Sequence, residues 1–131
     1  MVAIFQSLHL YNMVLVLTSS VITGIWGLIL YFRKKEVIPP SWKISLIVTA
    51  IIGLLQALLG GTLVLMGERA PGGNNYWLHY VYGAIVALAI PVAYTYTSKK
   101  IRITILILSL AALIIAAAGT RGMMTGLGLG G

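Results

Sequence analysis

Two histidines, His9 in "FQSLHLYN" and His79 in "NNYWLHYVYG", are the side chains in this sequence best suited to ligation chemistry. Each lies about one turn inside a long apolar stretch, where an imidazole is costly unless it is partnered. There is no cysteine, so thiolate metal sites, disulfides and cysteine nucleophiles are excluded. Two neutral imidazoles suit zinc or copper, but such sites usually take a third or fourth protein ligand. The only carboxylates, Glu36 and Glu68, fall in opposite connecting segments and offer no obvious help. Haem iron needs only two axial ligands, because the porphyrin supplies the other four positions. A lone histidine in a helix bundle is more often a hydrogen-bonded structural residue. Two at a matching depth point to haem ligation.

The elements that must position them follow from composition. Of the 131 residues, 60% are hydrophobic and 8% charged, too few polar groups to cover a soluble domain. Four apolar runs stand out, at 4–32, 44–66, 76–97 and 103–118. A helix crosses the hydrocarbon core with roughly 20 apolar residues, so four spans are expected, the last being the shortest. The first run lacks a basic leader and is too long for a signal-peptide core, so it reads as a span. Short connections favour antiparallel neighbours. The expected fold is an all-α membrane protein, a single four-transmembrane-helix antiparallel bundle over 1–131. Pro39 and Pro40 make "EVIPPSWK" a rigid turn, and "GERAPGGNNY" is rich in turn formers. The glycine-rich tail "GMMTGLGLGG" is expected to be partly irregular.

Charge sets an expected orientation. The net charge of +7 could suggest nucleic acid, but its distribution argues for a membrane partner instead. Arg33, Lys34, Lys35 and Lys43 fall in the first connection, Lys99, Lys100 and Arg102 in the third, and only Arg69 and Arg121 on the other side. This bias places 33–43 and 98–102 in the cytoplasm and both termini outside, in what reads as a prokaryotic plasma membrane. The basic connections would contact anionic lipid.

With that topology the first and third helices run in the same direction, and both histidines lie near the outer face. If those helices sit diagonally across the bundle, the imidazoles face each other at one level. Helical spacing supplies the walls. His9 shares a face with Asn12, Met13, Val16, Ser20, Thr23, Gly24 and Gly27. Gly53, Gln56, Gly60, Val64 and Gly67 form a stripe on the second helix. His79, Tyr82, Gly83, Val86 and Ile90 align on the third, and Ser109, Ala112, Ala116 and Gly119 on the fourth. Small residues serve close helix packing, and Gly60, Gly83 and Gln56 would equally let a flat cofactor approach the backbone. Arg121 and Arg69 are placed to pair with its propionates.

Three segments carry a resemblance to the haem A synthase family, whose members have two related four-helix halves. "QSLHLYNMVLVLTSSVITG" resembles the family's helix with a ligand histidine near its outer end. "LLQALLGGTLVL" followed by "WLHYVYGAIVAL" resembles the next two helices, and "GTRGMMTG" resembles the arginine and Thr-Gly pattern at an outer helix end. The similarity covers nearly the whole chain at half the family's usual size. It implies a haem b site with His9 and His79 as axial ligands. The sequence departs from the family pattern in three places. Leu10 stands where an arginine often follows the first histidine, and Gln6 where members commonly carry the glutamate tied to oxidation of the haem methyl group. The arginine and Thr-Gly segment also comes last in the chain. An amide is neither a base nor an anion, so no catalytic residue is assigned.

The expected function is therefore that of a b-type haem-binding subunit for electron transfer, one haem per chain. It would act within a larger respiratory or redox complex or as a homodimer. The alternatives are a half-size haem A synthase working as a dimer, and a structural or assembly subunit of such a complex.

Overall fold

Helices are the natural form for these apolar runs, because hydrocarbon offers no partner for a free backbone N–H or C=O. The computed structural model describes residues 1–128. It contains α1 (Val2–Phe32), α2 (Pro40–Leu65), α3 (Trp77–Tyr94) and α4 (Ile101–Gly126), with a short 3-10 turn over Gly73–Asn75. All four helices are long and apolar enough to span a membrane. Pro40 opens α2, where its missing N–H costs nothing.

The helices form an antiparallel ring in which α1 packs on α2 and α4, and α3 on the same two. The helices that carry the histidines, α1 and α3, thus occupy one diagonal, and α2 and α4 the other. Three glycines set the spacing. A Cβ on Gly53 would lie 2.7 Å from the carbonyl oxygen of Val86, so α2 and α3 approach backbone to backbone there. A Cβ on Gly119 would lie 2.7 Å from Met13 Cε, and one on Gly27 would collide with Ser109 and Trp42. Close approach of this kind is how membrane helices gain packing energy without a hydrophobic drive.

Polar contacts between α1 and α2 complete the frame. Thr23 bonds the hydroxyls of Ser45 and, at 3.1 Å, Thr49. The Trp42 indole donates to the Thr23 carbonyl at 3.0 Å. All three of Thr23, Thr49 and Trp42 are fully buried.

The expected α1 face matches the buried one from Asn12 to Gly27. Elsewhere the structure departs from expectation. On α2 the stripe is buried only at Gly53 and Gln56, while Val64 and Gly67 are exposed and Trp42, Leu46 and Thr49 supply the rest of the core. The fourth span continues eight residues past Ala118, so the start of the glycine-rich tail is helical through Gly126. The remainder of that tail, from 129 onward, lies outside the described residues. Lys43 and Arg102 sit in the first turns of α2 and α4 rather than in the connections. The seven basic residues still gather at one end of the bundle, and Arg69 and Arg121 lie toward the other.

Candidate functional site

Because α1 and α3 run in parallel, His9 and His79 meet near the same end. Their ring centroids are 6.0 Å apart and their planes cross at 66°. They border a cavity of about 570 Å³ that takes its walls from all four helices and from the α2–α3 connection. That volume falls within the range of organic-ligand pockets.

The two rings are held differently. Nδ1 of His79 is 2.9 Å from the carbonyl oxygen of Gly122 and 3.1 Å from Thr125 Oγ1. A carbonyl can only accept, so Nδ1 carries the proton and Nε2 keeps its lone pair. This is the arrangement in which an outer partner fixes a ligand histidine's tautomer and orientation. Gly126 sits against the same ring, where a Cβ would come within 2.9 Å of Cε1. The extra turns of α4 therefore build the seat for His79.

His9 is held by an amide relay. Asn12 Nδ2 donates to the Ile52 carbonyl at 3.1 Å and to Gln56 Oε1 at 2.9 Å. That fixes the Gln56 amide so that its Nε2 faces Nε2 of His9, at 3.5 Å. Nδ1 of His9 is buried with no hydrogen-bond partner. The Gln56 amide nitrogen can only donate, so Nε2 of His9 holds the lone pair and the buried Nδ1–H is left without an acceptor. A metal ion would take the Nε2 lone pair in place of that long contact. Gly60 lies flat against the ring, where a Cβ would be 3.1 Å from Cε1.

Of the other expected site residues, Gln56, Gly60, Gly83 and Arg69 line the cavity. Gly83 faces open space, with nothing within 4 Å of a Cβ built there. Arg69 lies with its guanidinium 4.5 Å over the Tyr76 ring. Arg121 is not among the lining residues, and its guanidinium lies 6.0 Å from the Tyr82 ring centre. Gln6 borders the cavity as its position one turn before His9 requires, and Glu68 does so from the connection.

Sequence reasoning missed Gly122 and Thr125 as partners of His79, and Asn12 as the group that orients Gln56. The first pair had a legible signal, since Gly122 and Gly126 continue the Gly119 face at spacings of three and four. No cluster of three or more His, Cys, Asp or Glu able to hold a metal exists among the described residues. The donor set is thus two imidazoles, which fits a metal that brings its own equatorial ligands.

Comparison of the chain with protein-family models, curated proteins and solved structures gives no match.

Proposed function

We propose that this chain is a b-type haem-binding membrane subunit for electron transfer, with His9 and His79 as the axial ligands. The observation that carries the proposal is the separation of the two imidazoles. With metal–imidazole bonds of about 2.0 Å, two rings facing each other across one ion have centroids about 6 Å apart, and the observed value is 6.0 Å.

The chain's own residues supply what such a group needs. Gly122 and Thr125 hold His79 with its Nε2 available, and Gln56 with Asn12 limits the rotation of His9. Gly60 and Gly83 keep the walls flat. Arg69 places a cation at the polar end of the cavity, where it would pair with a propionate. A haem ligated by two imidazoles supplies one-electron chemistry and has no open position for oxygen or substrate. Under the positive-inside rule the basic end is cytoplasmic, both termini and the cavity mouth are outside, and other subunits of a redox complex serve as partners.

Electron paramagnetic resonance of the oxidised protein tests the ligation directly. A low-spin ferric signal is expected, and a high-spin signal would contradict two histidine ligands.

The placement of Glu68 on the cavity wall favours a second reading, a half-size haem A synthase. Among the described residues it is the one carboxylate that borders the cavity, and it could stand in for the acid that Gln6 lacks. Expression in a host that makes haem O separates the two readings. The electron-transfer reading expects no haem A in the extracted pigment, and haem A made by the unmodified protein would install the enzyme.

A further inference from the structure

The walls of the cavity are not closed on every side. On α2, Ala57 and Gly61 line it and are also exposed on the outside of the bundle. On α3, Tyr80 and Ala84 do the same. These four residues flank the seam between α2 and α3, the sparsest of the four helix contacts in the ring. The seam is tight at Gly53, which meets the Val86 carbonyl, and open above it, where a Cβ on Gly61 or Gly83 would meet nothing within 4 Å. Ala57 lies eight residues before the end of α2 and Ala84 seven after the start of α3. At 1.5 Å per residue the opening reaches about 10 Å below the helix ends, at hydrocarbon depth.

The aqueous mouth is covered. Glu68, Arg69, Ala70 and Pro71 line the cavity from the connection above it. The Ala70 amide donates to the Tyr80 hydroxyl at 3.2 Å, and Arg69 stacks on Tyr76. Pro71 reaches the end of α4, with its Cβ 3.9 Å from the position a Cβ would take on Gly128.

We infer that the cavity exchanges its ligand with the bilayer through the α2–α3 seam, and that the ligand is a membrane-partitioned amphiphile rather than a solute taken from water. The identity of the ligand as haem rests on the proposed function, whereas the route rests on the seam alone. A flat macrocycle would pass edge-on between the glycine-lined lips with its charged groups trailing toward Arg69. The seam would part by a small shift of α2 against α3 above the Gly53 contact.

Two measurements test this, and the absence of native cysteine makes both clean. The first needs no haem. Protein carrying Gly83→Cys is labelled with bimane and placed in phosphatidylcholine vesicles. Nitroxides on the lipid acyl chains should quench the label severalfold more than iodide does, and the reverse order would overturn the route. The second follows haem uptake by apoprotein in the same vesicles. Bridging Ala57→Cys to Ala84→Cys, one on each lip of the seam, with a bifunctional maleimide should slow uptake about tenfold when applied before loading. Applied after loading, it should slow loss to a soluble apoglobin by a similar factor. A disulfide between Pro71→Cys and Gly128→Cys, whose Cβ separation suits that bond at about 3.8 Å, should leave both rates nearly unchanged. Uptake blocked by the disulfide and indifferent to the seam bridge would overturn the inference. If the unbridged protein takes up no haem at all, the haem reading falls, and the quenching order still decides the route.

Discussion

His9 and His79 are seated unequally, and their substitutions should differ accordingly. On the proposed ligation either substitution removes one axial ligand, so His9→Ala and His79→Ala should each abolish or strongly perturb a low-spin haem spectrum. Normal haem content and spectrum in both variants would end the ligand assignment. His79→Ala should also weaken the apoprotein by about 1 kcal/mol, because it breaks the bond from Nδ1 to the Gly122 carbonyl on α4. His9→Ala should leave apoprotein stability nearly unchanged, since His9 has only the 3.5 Å contact to Gln56. Thermal unfolding in detergent reads the difference. Gln56→Leu removes the acceptor that Asn12 uses and the group that faces His9. It should retain haem, shift its reduced bands and cost about 1 kcal/mol. Unaltered bands would show that the amide relay does not reach the site. The histidines themselves were legible in the sequence, as two intramembrane imidazoles with no other candidate ligand near them. The face that carries Gly122 was legible as a continuation of the Gly119 spacing, but its carbonyl as the acceptor for His79 was not, because a backbone carbonyl carries no residue signature.

At the level of helices, the packing is set by where small residues allow contact. Gly53 and Gly61 lie eight residues apart on α2, yet one meets the Val86 carbonyl and the other faces open space. Gly53→Leu should therefore drive α2 from α3 and destabilise the bundle by about 1–3 kcal/mol. Gly61→Ala should be neutral or slightly stabilising, because alanine is the better helix former. Equal effects from the two substitutions would contradict a seam that is closed at one level and open at the next. The inward face of α1 could be read from spacing alone because polar and small residues mark it without interruption from Asn12 to Gly27. The face of α2 could not, since Trp42 and Leu46 are as apolar as the lipid-facing residues and only tertiary contact distinguishes them. Glycines past Ala118 suggested an irregular tail, but satisfaction of the backbone in hydrocarbon and packing against α3 outweigh the low helix propensity of glycine. Those added turns carry Gly122 and Thr125 to His79.

The whole molecule has a direction. Seven of its nine basic residues collect at the end away from the cavity, so the cavity should lie at the outer end of the bundle. A cysteine introduced by Asn74→Cys should react with an impermeant maleimide in intact cells, and one introduced by Lys99→Cys should react only after lysis. The reverse pattern would put the site on the cytoplasmic face and require a cytoplasmic redox partner. Four spans and their antiparallel order were legible from hydropathy and connection length. The diagonal placement of α1 and α3 was an expectation that the ring order of the helices bears out. It brings the two histidines to a separation of 6.0 Å. Whether that pair binds haem is decided most directly by a reduced-minus-oxidised optical spectrum of the purified protein, with the pigment identified as its pyridine haemochrome. One haem b per chain with sharp low-spin reduced bands is predicted. A protein that is folded, pure and loaded in a haem-replete host, yet shows no such bands, would contradict the assignment of His9 and His79 as haem ligands.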